Sequence, residues 1–258
     1  MANNFSLFRN KVLEEAGSQV YFMASFFRNI FKSTFEMNEF IRQCFLLGNK
    51  SFPLVSITGI ILGFVLTLQS LPTMKEFGAE SFVPKMVTVS IVREIGPVII
   101  ALICTGKIAS GIGAELGSMK VTEQIDAMDV SGANSVQYLV VTRILACTLM
   151  VPLLTILADA LAICGSFIAM NLNQYVNYHL FFQKCFMSLS FDDLLPAFIK
   201  SIFFGFTIGF IGTYKGYNSN AGTESVGFAA NSAVVSASLW IILIDAVAAQ
   251  ITNAFVYT

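Results

Sequence analysis

The sequence predicts an all-α membrane protein: an N-terminal amphipathic helix at the membrane interface, then five transmembrane helices, with a further short helix in a cytoplasmic loop. Three observations carry this. Of 258 residues, 55% are hydrophobic and only 12% are charged, whereas soluble domains carry about twice that charged fraction. The mean hydropathy of +0.73 is more apolar surface than one soluble core can hide. The apolar residues also fall in runs near the roughly 20 that a bilayer core requires.

Residues 20–47 are not a span. Phe22, Phe26 and Ile30, with Phe27, Phe31 and Phe35, recur at helical spacing, while Arg28, Lys32, Glu36, Glu39 and Arg42 are interleaved. That pattern reads as one helix lying in the interface, or as a helix packed on the soluble side. Residues 1–48 are thus expected to form a cytoplasmic, interfacial segment ahead of a five-span domain over 49–258.

The first span follows from the charge-free run 51–74, bounded by Lys50 and Lys75. The second, 86–113, is long enough but carries Arg93, Glu94 and Lys107. The third, Ile144 to Met170, has Asp159 as its one charge, the fourth (about 194–214) holds Lys200, and the fifth (about 229–257) holds Asp245. Gly59-x-x-x-Gly63 and Gly205-x-x-x-Gly209 would let helices approach closely. Between spans two and three, Val121, Ile125 and Met128 line one face, with Glu115, Lys120, Glu123, Gln124 and Asp126 on the other. This is a short amphipathic helix over about 114–130, stopped by Gly132. It suits docking to another protein, or merely joins two spans. Residues 171–194 read as an irregular external connection.

Orientation follows from lysine and arginine placement. With the N-terminus cytoplasmic, ten fall inside (Arg9, Lys11, Arg28, Lys32, Arg42, Lys50, Lys107, Lys120, Arg143, Lys215), against five outside (Lys75, Lys85, Arg93, Lys184, Lys200). Five spans then put the C-terminus on the opposite, outer side. The N-terminus lacks the apolar stretch of a signal peptide.

Several chemistries lack their residues. The five cysteines show no C-x-x-C spacing and the lone histidine, His179, makes no metal set or Ser-His-Asp arrangement. The nearest P-loop candidate, TGKI at 105–108, has Ala101 where the first glycine belongs. The Gly111 to Gly117 stretch misses the dinucleotide spacing by one. Nothing calls for a cofactor or nucleic acid, and any energy source is expected in a separate subunit or an ion gradient.

The element VREIGP, 92–97, sets Arg93 and Glu94 inside an apolar run. An ionisable group at bilayer centre costs roughly 3 kcal/mol or more, so such groups face protein or water. Neighbours on a helix point about 100° apart, so the two do not neutralise each other. Pro97 cannot donate to the Arg93 carbonyl, which then needs another partner. Two arrangements fit: a membrane helix that starts near Pro97, with the pair at the interface, or a break at the rim of a cavity, where Arg93 meets an anionic headgroup.

These residues carry a resemblance. IVREIGPVIIALICTGKIASGIGAELGSMKVTEQIDAMDVSGAN (91–134), GIILGFVLTLQ (59–69), FIKSIFFGF and GYNSNAGTESVGFAANSAVV (216–235) resemble the MlaE (YrbE) permeases, the membrane subunits of ABC transporters that work with MCE proteins. The resemblance covers roughly residues 50–250. It implies a homodimer of five-span subunits in the cell inner membrane, moving phospholipid between that membrane and an MCE-protein ring. ATP and Mg would belong to a separate cytoplasmic ABC ATPase, and the chain itself would not be an enzyme. The segment 114–130 would be the coupling helix, with Glu115, Lys120, Glu123, Gln124 and Asp126 as polar contacts. Arg93, Glu94, Leu68 and Gln69 would line a lipid cavity. A small STAS-type accessory subunit is an optional further partner. Asp159 and Asp245, both intramembrane, are expected in interhelical hydrogen bonds. The rival classes are an ion-gradient transporter using Asp159 or Glu94, and a membrane scaffold that transports nothing.

Overall fold

A computed structural model describes the backbone of residues 2–30, 35–220 and 222–256, and the side chains of 14–30, 35–220 and 222–254. All regular structure among these residues is helical. Helix α1 spans Ala2–Ile30, α2 Met37–Glu76, α3 Glu80–Val121, α4 Gln124–Val130, α5 Val136–Asn173, α6 Tyr178–Ser188, α7 Phe191–Tyr217 and α8 Thr223–Val256. Five of them (α2, α3, α5, α7 and α8) are long and apolar enough to cross a membrane.

Small residues set the packing. A Cβ on Gly59 would come within 2.6 Å of the Ala158 carbonyl, and one on Gly63 would meet the Ala162 carbonyl closer still. Gly165 on α5 receives the Ile60 backbone in the same way. Thr67 Oγ1 donates to Ser166 Oγ at 2.6 Å across this seam, where both residues are buried. Helix α7 repeats the device: a Cβ on Gly205 would reach the Cys147 carbonyl at 2.6 Å, and one on Gly209 the Ile144 Cα at 2.9 Å. Both glycine pairs expected to permit close approach therefore do so. Where lipid is no less apolar than a leucine side chain, such contact and its dispersion energy hold helices together. Helix α8 buries the narrow stripe Ala229, Ala233, Ala237 and Ile241 and leaves Val235, Leu239, Leu243 and Val247 exposed.

Four expectations are corrected. The single amphipathic helix over 20–47 is two pieces: α1 ends at Ile30 and α2 begins at Met37, so the boundary at residue 48 falls inside a helix. Periodicity runs on through the interruption, which hides it from the pattern. Phe22 and Phe26 bury against α7, on Phe210 and Phe206, while Phe35 packs on Phe40. Phe31 and Lys32 lie outside the described residues, as do the side chains of Arg9 and Lys11. The start of α2 is held by Glu39, which accepts from Arg42 at 3.2 Å and Gln43 at 2.7 Å.

Residues 171–194 are not irregular throughout, because α6 lies within them. Asn177 caps it by accepting from the His179 amide at 2.9 Å, and Phe181 and Cys185, one turn apart, bury against Val83 and Val87 of α3. The helix over 114–130 is broken at Thr122–Glu123. Residues 110–121 continue α3, with Ile112 and Leu116 buried, and Glu123 turns the chain with a left-handed φ of 57°. Gly132, at φ 83°, does follow the end of α4. Finally, Pro97 does not break α3, which runs through it by way of a wide π turn at Ile91–Ile95.

Polar links gather at the α4 end of the bundle. Asn134 donates to Asn29 of α1 at 2.8 Å, Ser135 bonds Tyr217 at 2.8 Å, and Arg143 Nη2 donates to Glu115 at 2.7 Å.

The seam between α2 and α5 yields the first prediction. Gly63→Ala should destabilise the protein by about 1–3 kcal/mol, since a backbone carbonyl cannot rotate aside. Gly227→Ala, on a helix face where a Cβ meets nothing within 4 Å, should be neutral or slightly stabilising. Thermal unfolding in detergent distinguishes the two.

Candidate functional site

Three charged residues of the membrane-spanning helices converge. Lys200 of α7 is 5% exposed, and its Nζ lies 2.6 Å from Glu94 Oε2 of α3 and 2.8 Å from Asp245 Oδ1 of α8. Three helices thus meet on one ammonium. The same Nζ donates to the Arg93 carbonyl at 3.4 Å. This is the carbonyl that Pro97 cannot serve, so α7 supplies the donor that α3 lacks. The local geometry makes this possible: the Gly96 amide bonds back five residues to the Ile91 carbonyl, giving the π turn that presents Glu94. Such turns occur mostly as single insertions, frequently at functional sites.

Beside this cluster, Arg93 Nε stands 3.9 Å from Asp193 Oδ1. Asp193 is itself held at the start of α7 by Ser190, whose hydroxyl donates to it at 2.8 Å. Arg93 and Glu94 open onto a cleft of about 380 Å³ between α3 and the end of α8, lined also by Ser90, Thr252 and Asn253. Its volume lies in the lower range for small-ligand sites. With Arg93 32% and Glu94 42% exposed, one guanidinium and one carboxylate face the same space. That pairing can engage a zwitterionic or anionic headgroup, the guanidinium taking the phosphate.

The structure does not bring Leu68 and Gln69 into this cleft; both sit on an exposed face of α2. Asp159 also departs from expectation. Its Oδ1 is buried without a hydrogen-bond partner, pressed against Gly96, where an added Cβ would strike it. Asp245 meets its interhelical partner as an ion pair with Lys200.

At the α4 end, Glu115 does not stand free, because it pairs with Arg143, 2% exposed. Lys120 and Asp126 form a 2.7 Å ion pair across the Thr122–Glu123 turn, and Gln124 donates to Thr122 at 3.0 Å. Glu123 heads α4 at the turn itself, and Ile125 is the residue that anchors α4 by burial. Lys200, Arg143 and Asp193 were missed as site residues. Lone cations in an apolar run signal a buried partner, but helical spacing cannot say on which other helix that partner sits.

With this geometry in place, comparison with known proteins decides the family. Residues 40–251 match the family described as Permease MlaE. The chain belongs to the MlaE permease family. Among its relatives is a probable ABC transporter permease protein of Rickettsia typhi, 34% identical and aligned over 83% of each chain. A probable ABC transporter permease protein of Rickettsia bellii is 31% identical over 94% of each. The intermembrane phospholipid transport system permease protein MlaE of Haemophilus influenzae is 31% identical, covering 80% of this chain and 79% of its own. As an MlaE-family permease the chain is a multi-pass membrane protein, with the Arg93–Glu94 cleft among its spanning helices.

The cluster on Lys200 generates a stability test. Lys200→Met leaves two carboxylates facing one another without a cation and should cost on the order of 3 kcal/mol. The triple change Glu94→Gln, Lys200→Met, Asp245→Asn should recover much of that loss. Chemical unfolding in mild detergent measures both, and a triple variant no more stable than Lys200→Met would contradict the charge-pairing account.

Proposed function

We propose that this chain is the membrane-spanning permease of an ABC transporter that moves phospholipid between the inner membrane and a channel formed by MCE proteins. It works as a homodimer, with ATP and Mg held by a separate cytoplasmic ATPase. The observation that carries this reading is a polar cleft at Arg93–Glu94, sunk in an otherwise apolar bundle, in a chain of the MlaE family. Support for ATP comes from relatives named ABC transporter permeases, and support for phospholipid from the name of the Haemophilus influenzae relative.

The mechanism follows from the connections on α3. This helix carries the lipid-facing pair at Arg93–Glu94 and, after the turn at Glu123, leads directly into α4. Closure of an ATPase dimer under α4 would push on α3 along its length, and the π turn at Ile91–Ile95 is the point where the helix can give. Movement there alters the hold of Glu94 on Lys200 and so the width of the cleft. Exposed Glu123 and Gln124 are the side chains of the turn best placed to meet the ATPase, since Glu115, Lys120 and Asp126 are held in ion pairs within the chain. We place the N-terminus and α4 on the cytoplasmic side, the C-terminus in the periplasm, and the second copy against the exposed face of α8. A small STAS-type subunit is compatible with this arrangement.

The test is reconstitution of the permease with its ATPase in liposomes carrying a fluorescent phospholipid. ATP-dependent lipid movement is expected, reduced at least about tenfold by Arg93→Ala, which removes roughly 1.4 kcal/mol or more of headgroup interaction. Glu123→Lys with Gln124→Lys should abolish copurification of the ATPase while leaving thermal stability intact. Asp159, with its unpartnered buried oxygen, keeps an ion-driven reading in view. Lipid movement driven by a proton gradient, without the ATPase, would replace the ABC reading with that one.

A further inference from the structure

The end of α3 opposite to Glu94 holds a second polar feature that transport does not account for. A narrow cleft of about 90 Å³ lies between the start of the apolar run of α2 and the π turn Thr105–Ala109 of α3. Lys50, Ser51, Lys107, Gly111 and Glu115 line it, with Ile108 as part of its apolar wall. Lys50 and Lys107 are both exposed, and neither has an ion-pair or hydrogen-bond partner among the described residues. Ser51 is 1% exposed, yet its Oγ is buried without a partner. A serine in a helix commonly satisfies its hydroxyl on the preceding turn; that of Ser51 stays unspent behind the wall, so the charges presented to the cleft are those of Lys50 and Lys107. Glu115 adds little repulsion, because its carboxylate is 2.7 Å from the Arg143 guanidinium.

Two ammonium groups without partners on the walls of one cleft define a site for an oxygen-rich anion. Its level in the bilayer narrows the choice. Lys50 is the last charge before the charge-free run 51–74, so the cleft opens where headgroups meet acyl chains, and its apolar wall suits what hangs below a headgroup. We propose that this cleft holds the phosphate of an anionic glycerophospholipid in the leaflet on the α4 side, bridging α2 and α3 through Lys50 and Lys107. The ligand chemistry is a phosphate oxygen set, and the lipid is its source. This site is separate from the Arg93–Glu94 cleft and asks nothing of ATP or of transport.

Native mass spectrometry of the purified permease in detergent, with equal phosphatidylglycerol and phosphatidylcholine added, reads occupancy directly. Wild type should retain phosphatidylglycerol in preference by about thirtyfold, the factor that corresponds to about 2 kcal/mol from two basic residues near an anionic headgroup. Lys50→Gln with Lys107→Gln should bring the two lipids near parity, while Lys50→Arg with Lys107→Arg should keep the preference. Gly111→Leu is the decisive variant. A Cβ there meets nothing within 4 Å, so a leucine can be introduced on the cleft wall without removing a charge, and it too should abolish the preference. Retention of phosphatidylglycerol by Gly111→Leu would reduce the effect to general surface charge and overturn the site. So would a wild type without preference. Inorganic phosphate is the remaining arm: failure to displace phosphatidylglycerol supports the lipid, whereas displacement with equal thermal protection assigns the cleft to free phosphate and overturns the lipid assignment. Each outcome is independent of whether the protein moves phospholipid under ATP.

Discussion

The bundle depends on one buried ammonium. Lys200 sits among apolar side chains, and a charge there is tolerable only when its hydrogen-bonding capacity is filled. Glu94 accepts a hydrogen bond from it, Asp245 stands 2.8 Å away as a second ion-pair partner on another helix, and the Arg93 carbonyl accepts a further bond. The arrangement fixes the relative register of α3, α7 and α8, since moving any of them by one turn would strand a charge. It also explains why α3 passes through Pro97 unbroken. The wide turn before the proline spends the Gly96 amide on Ile91, and the carbonyl left over is met by a side chain from α7.

Around that point the rest of the packing is made by absence of side chains. Glycines on α2, α5 and α7 bring backbone onto backbone, and the hydroxyls of Thr67 and Ser166 close the seam. Such surfaces are rigid because there is nothing flexible in them to yield. Within α3 the helical ladder is already irregular at the π turns Ile91–Ile95 and Thr105–Ala109, the points where that helix can give. One of these carries the Arg93–Glu94 cleft and the other carries Lys107. A helix that joins both to α4 is suited to carry a push from one end of the bundle to the other.

Much of this was legible in the amino-acid order, and for identifiable reasons. A charge-free run such as 51–74 has one physical home, so the spans could be placed before any contact was known. The glycine pairs at Gly59–Gly63 and Gly205–Gly209 marked close approach because no other residue permits it. The Arg93 carbonyl could be seen to need a donor, because a proline four residues on is a purely local fact. The interruption between α1 and α2 was not legible, since Phe22, Phe26 and Phe35 keep a helical beat across it. Neither was α6, whose apolar face makes sense only once Val83 and Val87 of α3 are beneath it.

By itself, the sequence determined that the chain spans a membrane five times, that VREIGP needed help from outside its own helix, and that Glu123 and Asp126 lay in a polar connecting segment. Composition and spacing suffice for such properties because they belong to one helix and its solvent. Only the tertiary structure decided that the help comes from Lys200, that Asp245 shares it, that Glu115 is spent on Arg143, and that Asp159 has no partner for its inner oxygen. Pairings between helices depend on rotation and depth, which a periodicity of 3.6 residues leaves open. The opening motif is therefore an interhelical joint: a local defect in α3 that a charge on α7 completes.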